Sequence, residues 1–226
     1  MRRSILPHML EARSEGIPSL GAGAIYPIPW QDVCEDNFEI PAHWPRAYGI
    51  DVGWNRTAAL WGAWEPGLEI LHIYAEYYRE HATPETHAAA VKARGAWIRG
   101  VIDPASNIAG QSDGKRILQQ LIGQGLNLTK ADNAVEAGIY QVWSLLSTGR
   151  LRFFRTCRST EAEYRNYHRK PEGENDRGGK IHKKDDHAMD ALRYLVMSGR
   201  PVAQVEPALV SEPLQGRLIG SDRAGY

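Results

Sequence analysis

The sequence is poor in cysteine and has no long apolar run. Cys34 and Cys157 are the only cysteines among 226 residues, and their spacing matches no metal site. Such a low cysteine content is typical of a reducing compartment, so we expect a cytoplasmic protein. No apolar run approaches the roughly 18 residues that a membrane-spanning helix needs, and no leader pattern follows Met1. We therefore expect a soluble protein that binds no membrane.

The chain also has no excess charge, with 27 Lys and Arg residues against 27 Asp and Glu residues. The total charge therefore gives no reason to expect attraction to nucleic acid. The distribution is uneven, because residues 150–184 carry eleven basic and five acidic side chains. Such a segment neutralises phosphates without reading base sequence, although exposed Lys and Arg are also normal on a solvated surface. Its candidate phosphate-binding residues are Arg152, Arg155, Arg169, Lys170, Arg177, Lys180, Lys183 and Lys184.

Composition and proline positions indicate one domain with two flanking segments. The chain is 42% hydrophobic and 24% charged, which suits a single compact domain. Residues 1–45 hold six of the thirteen prolines, which disfavours long helices and central strands there. We interpret residues 1–45 as a linker or the remnant of an upstream domain, residues 46–199 as the domain itself, and residues 200–226 as a mobile tail.

The pattern within the domain predicts an α/β fold. Three β-like runs, at residues 48–52, 58–64 and 68–78, favour a three-stranded antiparallel meander. Three helix and strand pairs follow, with helices at 84–96, 114–124 and 134–147 and strands at 100–103, 127–128 and 151–154. Thr160 and Glu163 have the spacing of a capping box, which predicts a short helix from Thr160 to about His168. A flexible hairpin at 170–181 and a last helix at 185–198 complete the order.

Two aspartates lie where a strand is otherwise apolar. Asp51 is within the first strand, in Tyr-Gly-Ile-Asp-Val-Gly-Trp, and Asp103 ends the strand Gly-Val-Ile-Asp. A carboxylate in such a place is costly unless it is paired, hydrogen-bonded or bound to a cation. If the two strands are neighbours, a divalent ion between the carboxylates relieves their repulsion, and carboxylate oxygens favour Mg²⁺ or Mn²⁺. The alternatives are that Asp51 is the strand-end acid of a turn, since Gly53 follows, and that Asp103 caps the segment that begins at Pro104.

The last helix supplies further acids. Asp186 and Asp190 are four residues apart and share a helix face, and His187 lies beside them. Asp51, Asp103, Asp186 and Asp190 are our candidate catalytic and metal-binding residues, and His187 is a further candidate metal ligand. Two ions held by such a set stabilise both the attacking water and the leaving oxygen of a phosphodiester hydrolysis. The alternative is that Asp186 and Asp190 form a solvated face, and that His187 is a packing or hydrogen-bonding residue.

Four motifs carry a resemblance to a known family. They are Tyr48-Gly-Ile-Asp51-Val-Gly-Trp, Val101-Ile-Asp103-Pro-Ala-Ser, Asp132-Asn-Ala-Val-Glu136-Ala-Gly and Asp185-Asp-His-Ala-Met-Asp190-Ala-Leu-Arg-Tyr194. Over about residues 20–198 the chain resembles the C-terminal nuclease domain of the large terminase subunit of tailed bacteriophages. The resemblance implies a ribonuclease H-like fold, a mixed sheet flanked by helices. It also implies metal-dependent endonuclease cutting of double-stranded DNA.

The resemblance implies roles for individual residues as well. Asp51 would bridge two Mg²⁺ or Mn²⁺ ions, and Asp103 would be a second ligand. The last helix would supply a third ligand, with Asp186 and Asp190 as joint candidates and His187 ranked below them.

For partners, the resemblance implies double-stranded DNA, contacted by the hairpin at 170–181, and also the portal protein, the small terminase subunit and the subunit's own ATPase domain. We expect the chain to cut concatemeric phage DNA during genome packaging, in the cytoplasm of the infected bacterial host and transiently at the procapsid portal. We expect no ATPase domain in this chain, because residues 109–116 depart from a phosphate-binding loop at Ala109 and Arg116. The alternatives are a junction-resolving nuclease of the same fold and a non-catalytic module that docks on the portal or on DNA.

Overall fold

The structure is a computed structural model, and it describes residues 23–53, 55–104, 117–170, 181–182 and 185–207. Its strands are β1 (Cys34–Glu35), β2 (Arg46–Val52), β3 (Arg56–Glu65), β4 (Ile70–Glu80), β5 (Arg99–Ile102), β6 (Leu128–Lys130) and β7 (Leu151–Phe154). Its helices are α1 (Trp30–Val33), α2 (Pro84–Lys92), α3 (Ile117–Gly123), α4 (Val135–Ser147), α5 (Arg158–Asn166) and α6 (His187–Ser198), with a 3₁₀ turn at Arg200–Val202. No helix within the described ranges is long and apolar enough to span a membrane.

The strands of the described residues form one mixed sheet in the order β1-β7-β4-β3-β2-β5-β6. Strands β2, β3 and β4 pair antiparallel, and every other neighbouring pair is parallel. The predicted meander followed by α/β units is therefore confirmed. Because β3 alone runs against the others, the carboxyl ends of β2, β4, β5 and β7 lie at the same edge of the sheet, called the carboxyl edge below.

Helices cover both faces of the sheet. Helices α1, α4, α5 and α6 pack on one face, around buried residues such as Leu60, Phe153 and Leu192. Helices α2 and α3 pack on the other face, around Ile50 and Trp61. Strands β2 and β3 are mostly buried along their length, as expected for strands between two helical layers.

Helix α6 lies unusually close to β2. A Cβ atom on Gly49 would lie 2.2 Å from the carbonyl oxygen of Ala191, so the approach requires glycine at this position. Ala188, Ala191 and Leu195 of the helix are fully buried. This packing fixes α6 against the strand that carries Asp51.

Part of the N-terminal segment belongs to the same core. Tyr26 and Trp30 are buried among residues of α5 and β7, and β1 adds a strand beside β7. Prolines interrupt regular structure in this segment without preventing its aromatic side chains from packing. The described part of the segment is thus packed on the sheet, and residues 1–22 lie outside the described residues.

The segment after α6 also contacts the sheet. Gln204 exchanges two backbone hydrogen bonds with Arg46, of 2.8 and 3.0 Å, next to the start of β2. The mobile tail was predicted over residues 200–226, of which residues 208–226 lie outside the described residues. The division of the chain at residues 45 and 199 stays a prediction.

The capping box predicted at Thr160 is wrong. Helix α5 begins at Arg158, and Thr160 lies within its first turn. The backbone N–H groups of Ser159 and Thr160 donate to the carboxylate of Glu76 on β4, each at 2.8 Å. A strand distant in sequence therefore satisfies these donors, and Glu163 contacts another helix instead.

Two other element boundaries differ from the prediction because the backbone turns at glycine. Helix α2 ends at Lys92 rather than Ala96, since the chain reverses at Gly95 with a φ of 128°. Strand β4 begins at Ile70 rather than Leu68, since the preceding turn includes Gly67 with a φ of 87°. Both conformations are left-handed and favour glycine.

Candidate active site at the carboxyl edge

Asp51 and Asp103 lie on adjacent strands at the carboxyl edge. Strands β2 and β5 pair in parallel with Ile50 opposite Ile102, so the next residue on each strand is an aspartate. Both side chains are half-buried. The two strands are therefore neighbours, which is the condition under which the sequence predicts that the two carboxylates meet.

Helix α6 brings more polar side chains to this edge. Asp186 and Asp190 are each 8% exposed, so the alternative of a solvated helix face is wrong. Helices α4 and α5 both pack on α6, which contributes to this burial. The imidazole Nδ1 of His187 donates to Oδ2 of Asp51 at 2.7 Å, which is the hydrogen-bonding role that the sequence left open for this histidine.

A chain of hydrogen bonds joins two of the acids. Asn133, just before α4, donates from Nδ2 to Oδ1 of Asp103 at 3.2 Å. Arg193 of α6 donates to Oδ1 of Asn133 and to Oδ1 of Asp190, both at 2.9 Å. Arg193 is 1% exposed, so its charge lies inside the protein beside Asp190. Asp103 and Asp190 are thus each oriented by a neighbour that is itself hydrogen-bonded.

The surroundings of Asp51 disfavour its charge. Burial raises the pKa of Asp51, the negative charges of Asp190 and Asp103 raise it further, and the hydrogen bond from His187 opposes the shift. The same hydrogen bond raises the pKa of His187, although burial lowers it. Burial raises the pKa of Tyr194, and the charges of Asp190, Asp51 and Asp103 add to that shift. Three carboxylates therefore lie within electrostatic range of each other.

These residues fit a divalent cation by their chemistry. Carboxylate oxygens are the ligands that Mg²⁺ and Mn²⁺ prefer, and a cation relieves the repulsion just described. Within the described residues, however, no three acidic, histidine or cysteine side chains converge on one point as closely as a complete ligand shell requires. The donor set therefore supports metal binding, but the positions of the side chains define no coordination geometry.

Sequence reasoning missed two residues of this site. Asn133 lies in a motif that carried the family resemblance, but it received no role. Arg193 was overlooked although it follows Asp190 at the i, i+3 spacing of a helical ion pair, on a helix that is otherwise mostly apolar. That spacing was the available signal for Arg193, whereas the contact between Asn133 and Asp103 depends on the fold.

The predicted phosphate-binding arginines contact other parts of the protein. Arg155 pairs with Asp36 at 2.6 Å, and Arg152 donates to the backbone carbonyl of Asp32. Arg155 follows β7 at the carboxyl edge, whereas Arg152 lies within the strand. Lys170 is exposed, and Arg177, Lys180, Lys183 and Lys184 lie outside the described residues.

The base of the predicted hairpin is a short two-stranded pairing. Arg169 bridges Ile181 antiparallel, and the rings of His168 and His182 stack with centroids 4.8 Å apart. Arg169 also pairs with Glu136 of α4 at 2.6 Å. The intervening residues 171–180, and the loop at 109–116, lie outside the described residues. DNA contact by this region stays a prediction.

The fold and the site together define a class of protein. A mixed sheet with a three-stranded meander, helices on both faces and carboxylates at the carboxyl edge is a ribonuclease H-like domain. Residues 48–198 match the family model described as the terminase RNaseH-like domain, and the chain belongs to this family. The resemblance noted from the four sequence motifs is confirmed.

Curated relatives come from tailed phages. The large terminase subunit of Salmonella phage P22 is 30% identical over 203 residues, which cover 85% of this chain and 39% of that protein. The large subunit of Enterobacteria phage LP7 is 29% identical over 197 residues, covering 83% and 40% respectively. The chain thus spans about two fifths of the length of these relatives.

Solved structures agree with the sequence relatives. The P22 large terminase nuclease domain superposes with a TM-score of 0.72 at 27% identity, covering 83% of this chain and 97% of that one. The large terminase of a thermophilic bacteriophage, in complex with ADP, gives 0.65 at 20% identity, covering 78% and 44%. The large terminase nuclease domain of bacteriophage SPP1, with bound Mn, gives 0.58 at 15% identity, covering 77% and 99%. At these identities the last two show a shared fold.

Proposed function

We propose that this chain is a metal-dependent endonuclease domain that hydrolyses phosphodiester bonds in double-stranded DNA. The observation that carries the proposal is the grouping of Asp51, Asp103 and Asp190 at one edge of the sheet against their mutual repulsion. Each is oriented there by a hydrogen-bonding neighbour. Such an arrangement lowers stability, which favours a functional role over a structural one. The similarity to the P22 nuclease domain supports the activity, and the Mn-bound SPP1 domain supports the use of a divalent ion.

In this proposal Asp51, Asp103 and Asp190 hold two Mg²⁺ or Mn²⁺ ions. When bound, such ions activate the attacking water and stabilise the leaving oxygen. We favour Asp190 over Asp186 as the third carboxylate, because the charge of Asp190 acts on Asp51. His187 orients the carboxylate of Asp51 through its Nδ1 hydrogen bond, so that nitrogen is occupied by the aspartate.

The protein residues also set the charge of the site before DNA arrives. Arg193 offsets the charge of Asp190, and Asn133 keeps the Asp103 carboxylate turned toward the same hydrogen-bonded chain. These contacts preorganise the carboxylates, so that little rearrangement is needed when the ions and the DNA bind.

We extend the proposal to the whole large subunit by similarity to the P22 and LP7 proteins. The domain would cut concatemeric phage DNA during packaging, in the cytoplasm of the infected bacterial host and transiently at the procapsid portal. Its partners would be the portal protein, the small terminase subunit and the subunit's ATPase domain. The hairpin predicted at residues 170–181 would contact the DNA.

Cleavage of supercoiled plasmid tests the activity. The purified chain is incubated with Mn²⁺, Mg²⁺ or EDTA, beside Asp51→Asn, Asp103→Asn and the control Asp36→Asn, an exposed acid distant from the site. We expect nicking and linearisation that need metal, Asp51 and Asp103 but not Asp36. Absence of cutting by folded wild-type protein with either metal would contradict the proposal and favour the docking module. A strong preference for a four-way junction over linear duplex would favour the resolvase.

A further inference from the structure

The N-terminus of α6 is capped by a residue from another helix. Oε2 of Glu163, on α5, accepts the backbone N–H groups of Ala188 at 2.6 Å and Met189 at 3.3 Å. These are the second and third residues of α6, whose donors are usually satisfied by the side chain that precedes the helix. Asp186 occupies that position, but its side chain makes no capping hydrogen bond. Glu163 therefore provides the cap, and the carboxylate of Asp186 is not needed for it.

Glu163 is itself fixed from the sheet. Its Oε1 accepts the hydroxyl of Tyr78 on β4, and Glu163 is 4% exposed. The guanidinium of Arg56 lies 5.2 Å from the ring centroid of Tyr78 and also pairs with Asp185. Asp185 has a φ of 54°, an uncommon conformation for aspartate that surrounding contacts must stabilise. Arg56 of β3 thus holds the turn before α6 through Asp185, and Tyr78 of β4 supports Glu163, which holds the first turn of α6.

We propose that Glu163, supported by Tyr78, is a positioning residue for the active site. By satisfying the first donors of α6 it fixes where the helix begins, and the first residue of the helix is His187, which contacts Asp51. An apolar side chain at position 163 would leave two buried N–H groups without an acceptor, and the first turn would fray. Fraying would separate His187 from Asp51 before it affected the rest of the buried helix.

The catalytic part of this inference rests on the proposed function, whereas the structural part does not. The test therefore has one arm that needs no cleavage. Glu163→Ala removes the cap, and Glu163→Gln keeps an oxygen that can accept the same N–H groups while its amide donates to Tyr78. Glu161→Ala is the matched control, because Glu161 lies on the same helix and makes only surface ion pairs with Arg158 and Arg165 among its described contacts.

The first arm measures amide hydrogen exchange at Ala188 and Met189 and the side-chain proton signal of His187 by NMR, in buffer with EDTA. In Glu163→Ala we expect about tenfold faster exchange at these amides, the change expected on loss of a helix cap, and loss of the downfield His187 signal. Glu163→Gln and Glu161→Ala should match wild type. Unchanged exchange in Glu163→Ala, or equal acceleration in Glu161→Ala, would overturn the proposal.

The second arm measures plasmid cleavage with Mn²⁺ at a temperature where every variant is folded. We expect Glu163→Ala to lower kcat about tenfold with little change in KM for DNA, and Glu163→Gln to restore most of kcat. Faster exchange with unchanged kcat would make Glu163 a purely structural cap and overturn its positioning role. If wild-type protein does not cut, the proposed function fails, and the His187 signal in the first arm still decides whether Glu163 sets the contact with Asp51.

Discussion

The acidic and the basic residues singled out in the sequence are arranged very differently. Burial raises the pKa of Asp51, and the charges of Asp190 and Asp103 raise it further. Arg155 and Arg169 each lie beside a carboxylate of another element, Asp36 and Glu136, at 2.6 Å. The acids are grouped near one another with Arg193 as a shared buried cation, whereas each of these two arginines is paired separately with one acid.

This difference between the acids and the arginines distinguishes a candidate functional site from ordinary surface ion pairs. Grouped, partly buried carboxylates lower the stability of the fold unless a cation offsets their charge, which is what the proposed function requires. Exposed ion pairs contribute little to stability and are common on any protein surface. The acidic group is therefore stronger evidence for a site than the arginines are for a DNA path.

The largest expected effect is at Asp51. Asp51→Asn should lower metal-dependent cleavage by more than about a hundredfold while making the metal-free protein more stable at pH 7. Stability rises because burial and the neighbouring acids disfavour the charge that the substitution removes, and the amide oxygen still accepts from His187. Urea unfolding in EDTA measures the stability, and plasmid cleavage measures the activity.

Asp36→Asn is the control for both measurements. Asp36 is highly exposed and has a favourable partner in Arg155, so its loss should change neither activity nor the urea midpoint appreciably. A fall in stability for Asp51→Asn at pH 7 would mean that its carboxylate is stabilised by its surroundings, and the contrast between the two regions would disappear.

Local patterns in the sequence accounted for the sheet and for Asp51 and Asp103. Turn signals separate the three strands of the meander, and a carboxylate after a run of apolar residues is detectable without knowledge of the fold. These features depend on residues close together in the chain. The adjacency of β2 and β5 does not, because the pairing of these strands joins distant segments and depends on the fold.

The remaining features depend on contacts between distant residues. Glu163 caps a helix that begins 24 residues later, and Glu76 caps α5 from a strand more than eighty residues earlier. Asp186 and Asp190 are buried and α4 and α5 pack on α6, and the spacing of the two aspartates reveals neither fact. The prolines of the N-terminal segment indicated a linker, but Trp30 packs in the core.

The second prediction concerns Arg193, the buried arginine that pairs with Asp190. Arg193→Met should destabilise the metal-free protein by about 3 kcal/mol, because it leaves the buried carboxylate of Asp190 without its counter-charge. Mn²⁺ should restore part of that loss. Urea unfolding with and without the ion measures both effects. Arg200→Met, which removes an exposed arginine paired with Glu69, should change stability by less than about 1 kcal/mol, and an equal effect of the two substitutions would contradict the prediction.

The third prediction is a pH dependence of the pair of His187 and Asp51. The hydrogen bond raises the pKa of His187 above its usual 6.5, so the stabilisation is fully present below pH 6.5 and is lost as the pH rises through the higher folded value. Wild-type protein in EDTA should therefore lose stability from pH 6.5 upward, and Asp51→Asn should lose less. Unfolding free energies measured from about pH 6 to 8.5 check this. A slope that is the same in both proteins would show that Asp51 does not determine the titration of His187.

The smallest effect is expected in the basic region. This prediction tests whether arginines that are paired with acids of the protein also bind DNA. Glu136→Gln removes the partner of Arg169 and should tighten binding to a DNA duplex about twofold, with the slope of log affinity against log salt steeper by about one charge. Fluorescence anisotropy in EDTA, so that no cutting occurs, measures both quantities. Asp36→Asn offers the matched release of Arg155, and a gain confined to Glu136→Gln would place the DNA near the hairpin base rather than along β7. No gain in DNA affinity from either substitution would mean that Arg155 and Arg169 contact only the protein. The acids would then be the only residues of this comparison with a functional role.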